Sequence, residues 1–135
     1  MIYLLLVLYQ VKHFLCDYPL QGRYMLGKFA GGYAWILPLT AHAGVHGIAT
    51  LLIALCFKPQ CAIQLAVFDM LTHFVVDRIK ASPNMLGRFK PLTKETYPTA
   101  DASAIKSNTY FWSSLGADQA AHHLTHYAII YWLLK

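Results

Sequence analysis

The stretch Asp69-Met-Leu-Thr-His73-Phe-Val-Val-Asp77 decides how this chain is read. Three ionisable side chains recur every four residues inside a run that is otherwise apolar. That spacing puts them on one helix face, one turn apart. The run extends over residues 60–80, close to the ~20 residues a helix needs to cross a ~30 Å hydrocarbon core. A carboxylate deep in a bilayer costs at least ~2.5–3.5 kcal/mol, so such residues face inward and meet partners.

The same arrangement recurs on either side. His13-Phe-Leu-Cys-Asp17 ends an apolar run over 2–17, and His42-Ala-Gly-Val-His46 sits near the start of a run over 36–57. Asp118, His122 and His126 lie in the first part of a run over 110–134. Six of the seven histidines and four of the six acids belong to these stripes. His123 lies about 100° round the helix from His122 and stays outside. The expectation is an all-α, integral membrane four-helix bundle, with residues 1–135 as one transmembrane domain. The first run is marginal in length. Trp35, Trp112 and Trp132 fall near run ends, where aromatic rings prefer to sit.

Composition agrees. The 135 residues are 57% hydrophobic and 13% charged, about half the usual charged share of roughly 25%, and mean hydropathy is +0.41. Too few charges remain to cover an ordinary soluble domain, and disorder is excluded by the same numbers. The formal charge of +5 reads as topology and headgroup attraction, because no nucleic-acid-binding pattern is visible. Cys16, Cys56 and Cys61 follow no zinc spacing and leave one unpaired, so no disulfide framework is implied; a Cys56–Cys61 bridge is the one pairing considered. The N-terminal run lacks a basic leader and a small-residue cleavage site, so it reads as a retained span.

The basic residues are distributed unevenly. The two long connections carry Arg23, Lys28, Arg78, Lys80, Arg88, Lys90, Lys94 and Lys106. The opposite side has only Lys58 and Lys135, while Lys12 lies inside the first run. This bias predicts cytoplasmic long connections, outside termini and an inner-membrane location. The second connection holds Pro83, Gly87, Pro91 and Pro98, which argue against a continuous helix there. With alternating helix directions, the polar stripes converge toward the basic side; Asp69 and His126 reach deeper.

A duplication is also visible. His13-Phe-Leu-Cys-Asp17 matches His73-Phe-Val-Val-Asp77, and Ala41-His42-x-x-x-His46 matches Ala121-His122-x-x-x-His126. Two pseudo-symmetric helical hairpins of equal orientation follow from that order. Asp69 and Asp118 break the symmetry, with Tyr9 and Pro38 at the equivalent positions.

Imidazoles beside carboxylates at one-turn spacing are the donor set of bundle metal centres. They suit zinc first, with manganese or iron as alternatives, whereas magnesium and calcium prefer oxygen alone. The candidate ligands are His13, Asp17, His42, His46, His73, Asp77, Asp118 and His122, for one or two divalent ions. His126 and Asp69 are deeper groups that orient ligands, relay protons or ligate. A metal-bound water could attack an ester, with Asp69, Asp77 or Asp118 as base. Arg78, Lys80 and Arg88 would hold the phosphate of a phospholipid or phosphorylated small molecule. Gln21 and Gln119 place amides beside the acids. For the basic residues, topology alone is the competing explanation; for a lone histidine pair it is interhelical hydrogen bonding. A metal-dependent hydrolase at the cytoplasmic face is the leading expectation. Proton or metal-ion transport is the alternative, followed by a non-enzymatic membrane protein. A di-iron oxygenase needs more histidines, and a bis-histidine haem would sit badly against so many carboxylates.

The set His13-x-x-x-Asp17-Tyr18-Pro19-Leu20-Gln21, His42-x-x-x-His46, Asp69-x-x-x-His73-x-x-x-Asp77-x-x-Lys80 and Asp118-Gln119-x-x-His122-x-x-Thr125-His126 covers nearly the whole chain. As a set it resembles a domain-of-unknown-function family of small bacterial and phage inner-membrane proteins. That resemblance implies an integral membrane protein and no particular activity. More distantly, the pattern is similar to predicted membrane-bound metal-dependent hydrolases.

Overall fold

The computed structural model describes residues 1–82, 85–86 and 107–135, among which the regular structure is helical with no strand. The helices are α1 (Ile2–Asp17), α2 (Ile36–Phe57), α3 (Ala62–Ala81) and α4 (Thr109–Leu134), with 3₁₀ segments at Met25–Phe29 and Pro59–Cys61. All four runs expected to span are helical. The third α-helix starts later than its apolar run because Pro59–Cys61 winds as a 3₁₀ turn. Arg88, Pro83, Gly87, Pro91 and Pro98 lie outside the described residues.

Two segments, Ile36–Phe57 and Pro59–Ala81, are long and apolar enough to cross a membrane. The other two runs fall short of that measure for different reasons. With 16 residues, α1 is only about 24 Å long. With 26 residues α4 has ample length, but Ser113, Ser114, Gln119, Thr125 and the histidines dilute its apolar character.

The helix ends follow local chemistry. Pro19 cannot continue α1, and the Tyr18 N–H closes the last turn on the Phe14 carbonyl (3.1 Å). Asn108 caps α4, its Oδ1 accepting from the Phe111 N–H at 3.0 Å. Ser82, just before Pro83, is already extended (ψ 129°), as a residue preceding proline must be. Lys58, in the tight α2–α3 turn, donates through Nζ to the Trp132 carbonyl at the end of α4 (3.1 Å), satisfying an orphan acceptor there. Gly47 lets α2 and α3 approach closely: a Cβ there would stand 3.0 Å from the Ala66 carbonyl and 3.0 Å from Met70 Cβ.

Stepping four residues at a time along each helix reveals four interior layers. At one end Leu5, Ala54, Leu65 and Ile130 form an apolar layer within a cluster that includes Ala62, Ile129 and Leu133. One turn on come Tyr9, Thr50, Asp69 and His126, all buried. The next layer is His13, His46, His73 and His122, again all buried. The last is Asp17, His42, Asp77 and Asp118, of which only Asp17 is partly exposed. Outside, the pattern inverts. Val7, Ile48, Leu71 and Leu124 are each more than half exposed, so large apolar side chains cover the surface while charge fills the middle.

Candidate metal centre

Each stripe is positioned by its own helix, and the four stripes meet. His73 is the hub of the imidazole layer. Its ring stacks on His46 (centroids 3.8 Å apart) and on His122 (4.1 Å). His13 closes the layer from α1, 5.3 Å from His122 and 5.7 Å from His46. His126 lies beside it, 5.2 Å from His13 and 5.7 Å from His73. Buried polar rings at this density are stable only with partners for their nitrogens.

Carboxylates supply many of those partners. Asp17 Oδ1 accepts from His46 Nε2 at 3.0 Å, and its Oδ2 lies 3.2 Å from His13 Nε2. His42 Nε2 sits between two acids, 3.1 Å from Asp77 and 3.5 Å from Asp17. His122 Nε2 is 3.2 Å from Asp77. The His42–Asp17 contact and the His122–Asp77 contact occupy matching places in the two sequence repeats. His73 Nδ1 lies 3.0 Å from Asp69 Oδ1 and hydrogen-bonds the Asp69 backbone carbonyl at 3.2 Å, and His13 Nε2 lies 3.1 Å from Gln119 Oε1.

Those last two contacts fix where lone pairs point. An Nδ1–H donated by His73 leaves its Nε2 as an acceptor; an Nε2–H donated by His13 leaves its Nδ1. Both of these nitrogens are buried and have no hydrogen-bond partner among the described residues. His126 Nδ1 is also unpartnered among them, but Lys12 Nζ faces its Nε2 at 3.3 Å, which leaves the ring proton on Nδ1. A carboxylate or amide behind the ring, with the other nitrogen bare, is the support pattern of metal-ligating histidines.

Three groups bring donor atoms within 4.8 Å of one another: His13 with His73 and His126, His13 with Asp17 and His46, and Asp77 with Asp118 and His122. They differ in what already holds them. In the third group lysines sit on both acids, Lys28 Nζ on Asp77 (2.6 Å) and Lys80 Nζ on Asp118 (2.6 Å). In the second, Asp17 is bound up with imidazoles. The first group is all imidazole, and two of its rings, His13 and His73, have bare buried nitrogens. A three-histidine set with one position left for water is the donor arrangement of a catalytic zinc site.

The remaining expected residues have definite places. Gln21 accepts from Lys28 Nζ (2.9 Å). Gln119 also donates through Nε2 to Asp118 Oδ2 (3.2 Å). The Arg78 guanidinium lies on the Trp35 ring, 3.6 Å from its centroid, so it turns toward that aromatic and away from the cluster. His123 meets Gln10 at 3.3 Å. All three cysteines are free, so the Cys56–Cys61 bridge is not formed.

Three participants were not read from the sequence. Lys12 lies at the deep edge of the cluster, its Nζ 2.5 Å from Asp69 Oδ2 and 3.3 Å from ring nitrogens of both His46 and His126. Thr50 donates to the same Asp69 oxygen. Lys28, from the 3₁₀ segment, covers Asp77. A lysine inside an apolar run was the available signal for Lys12, since an uncompensated ammonium is untenable there. For Lys28 no spacing rule pointed 49 residues along the chain.

The class defined by these features is a helical bundle with an inverted interior, in which imidazoles and carboxylates are gathered at one end. The chain belongs to the family described as protein of unknown function (DUF3307), whose model matches residues 4–135. No curated protein and no solved structure matches it.

Proposed function

We propose that the chain is an integral inner-membrane protein whose four helices form a bundle of two related hairpins, with the polar end and the long basic connections at the cytoplasmic face. There it holds a divalent metal, zinc before manganese or iron, and hydrolyses a phosphoester of a lipid or phosphorylated substrate. The observation that carries the reading is the convergence of six imidazoles and four carboxylates from all four helices on one buried cluster. The apolar exterior supports the membrane assignment. The excess of basic residues in the long connections supports the orientation.

Charge favours one ion over two. Three of the four cluster acids face a lysine, and Asp17 alone among them faces only imidazoles. One negative charge is therefore in surplus, and a single divalent cation already exceeds it. His13 and His73 are the ligands the bare nitrogens favour, and His126, grouped with them by distance, would complete the set by exchanging its contact with Lys12. The metal would supply a nucleophilic hydroxide from water at neutral pH and polarise the phosphoryl oxygen. Among the cluster acids Asp17, 3.2 Å from His13 Nε2 and facing no lysine, would take the proton of the attacking water, while Asp118, 2.6 Å from Lys80, would bind the substrate. Lys80 beside it would neutralise a phosphate. The water oxygen bonds to phosphorus, the ester oxygen leaves, and the proton passes to it.

A second reading, proton or metal-ion movement without chemistry, is favoured by the buried Lys12–Asp69 pair, which carries ionisable groups one turn beyond the imidazole layer. The test is elemental analysis of detergent-purified protein from metal-supplemented medium, beside His73→Ala and Asp118→Asn. Roughly one ion per chain is expected, lost in His73→Ala. Phosphoester turnover should accompany it. Ion flux in liposomes without turnover would put transport first, and metal-free wild-type protein would remove the hydrolase and leave proton movement.

A further inference from the structure

An open crevice of about 410 Å³ separates α3 from α4 at the level of the carboxylate layer, within the ~300–1,000 Å³ range of small-molecule sites. Val76 and Ile79 line it from α3, Ala117 and Ala121 from α4, and its polar lining is the Lys80–Asp118 pair together with Tyr110, Ser113 and Ser114. Exposed Val75 and Ile79 flank it on the outer surface. It therefore joins the apolar exterior to one edge of the cluster. Gly47 draws α2 and α3 together at the neighbouring seam, whereas small side chains on α4 leave this one open.

The polar wall is incompletely satisfied. Asp118 is only 7% exposed. Its Oδ2 accepts from Lys80 Nζ (2.6 Å) and from Gln119 Nε2 (3.2 Å), but Oδ1 makes no hydrogen bond among the described residues, its facing imidazole, His122 Nε2, lying at 3.5 Å and closer to Asp77. A buried carboxylate oxygen without a donor is costly, and a ligand bearing an N–H would relieve it. Lys80 has three donors, of which Asp118 takes one, and its side chain is 35% exposed. The apolar walls suit an acyl chain, which a soluble phosphate lacks.

We infer that this crevice admits, from the side of the bundle, an amine-bearing phospholipid of the surrounding leaflet. Its ammonium meets Asp118 Oδ1, its phosphate meets Lys80, and the start of one chain lies between Val76, Ile79, Ala117 and Ala121. This rests on the reading of the centre as acting on a lipid or phosphorylated substrate, and it narrows the substrate to a zwitterionic lipid with an N–H donor. A choline headgroup has no such donor and is the discriminating control.

The test uses the full chain in nanodiscs, with phosphatidylethanolamine or phosphatidylcholine carrying a photoreactive group near the head of one chain, and with labelled peptides mapped by mass spectrometry. Label is expected on 76–79 and 117–121, with the ethanolamine probe exceeding the choline probe about tenfold, the factor expected of one charge-assisted hydrogen bond. Asp118→Asn should bring the two probes close to parity. Ala117→Trp, which fills the crevice, should abolish label there while metal content, the readout of an intact centre, stays unchanged. Equal labelling by both probes in the wild type overturns the inference, as does label spread evenly over the outer faces of α1 and α2. Label absent from a metal-loaded wild type also overturns it and leaves the hydrolase reading standing. Metal-free protein that still prefers the ethanolamine probe supports the lipid site and removes the hydrolase instead.

Discussion

The two ends of this bundle are made by the same four helices and obey opposite rules. At the Leu5, Ala54, Leu65 and Ile130 end, side chains need only fill space. Three turns away, every interior position carries a carboxylate or an imidazole, and each must find a counterpart on another helix. Shape holds the first end together; pairing holds the second. Stability and chemistry should therefore be separable along the helix axis, a cavity at one end leaving the donor set at the other intact.

That separation can be broken most severely at the boundary layer. Lys12→Met strands Asp69, whose side chain is fully buried, and should cost roughly 3–5 kcal/mol, the range for removing one partner of a buried ion pair. The double variant Lys12→Met/Asp69→Asn should recover most of it, measured by unfolding in detergent micelles. A smaller loss is expected at the apolar end, where Leu5→Ala should cost about 2–4 kcal/mol through the space it leaves. Its metal content should equal that of the wild type; metal lost in step with stability would show that the two ends are not independent. Next comes Gln119→Ala, which removes the acceptor behind His13. Metal affinity should weaken about tenfold, the lower end for losing a group that orients a ligand, with little change in unfolding. A competition titration against a chelator reads this directly. The mildest change is Lys58→Met, which releases the last carbonyls of α4. At most ~1 kcal/mol is expected, the worth of a cation at a helix C-terminus, and both metal content and lipid labelling should be untouched.

The part of this comparison that was legible in the sequence is the part built from local geometry. Four-residue spacing placed His13 with Asp17, His42 with His46, Asp69 with His73 and Asp77, and Asp118 with His122 and His126 on common faces, because a helix sets those positions without reference to anything distant. Spacing could not say which face meets which. The partnership of Lys12 with Asp69 joins α1 to α3, and that of Lys28 with Asp77 joins a 3₁₀ segment to α3. Both depend on how the helices are arranged in space. Arg78 shows the converse: its place beside Asp77 in the chain pointed to the cluster, yet one step along a helix turns a side chain about 100° away, here onto Trp35. The layer order was likewise half visible. The depth of Asp69 and His126 followed from position, but the bare nitrogens of His13 and His73 emerge only when Gln119 and Asp69 are seen behind them.

The one-turn ladder of layers has a consequence for how this chain tolerates change in length. Exchanging one side chain alters a single rung, but inserting or deleting one residue within a helix swings every later rung about 100° out of line. Such an edit in α3 between Asp69 and His73 would carry His73 and Asp77 off the axis together. Natural variation among relatives should therefore accumulate as replacements within the helices, with gains and losses of residues confined to the connections.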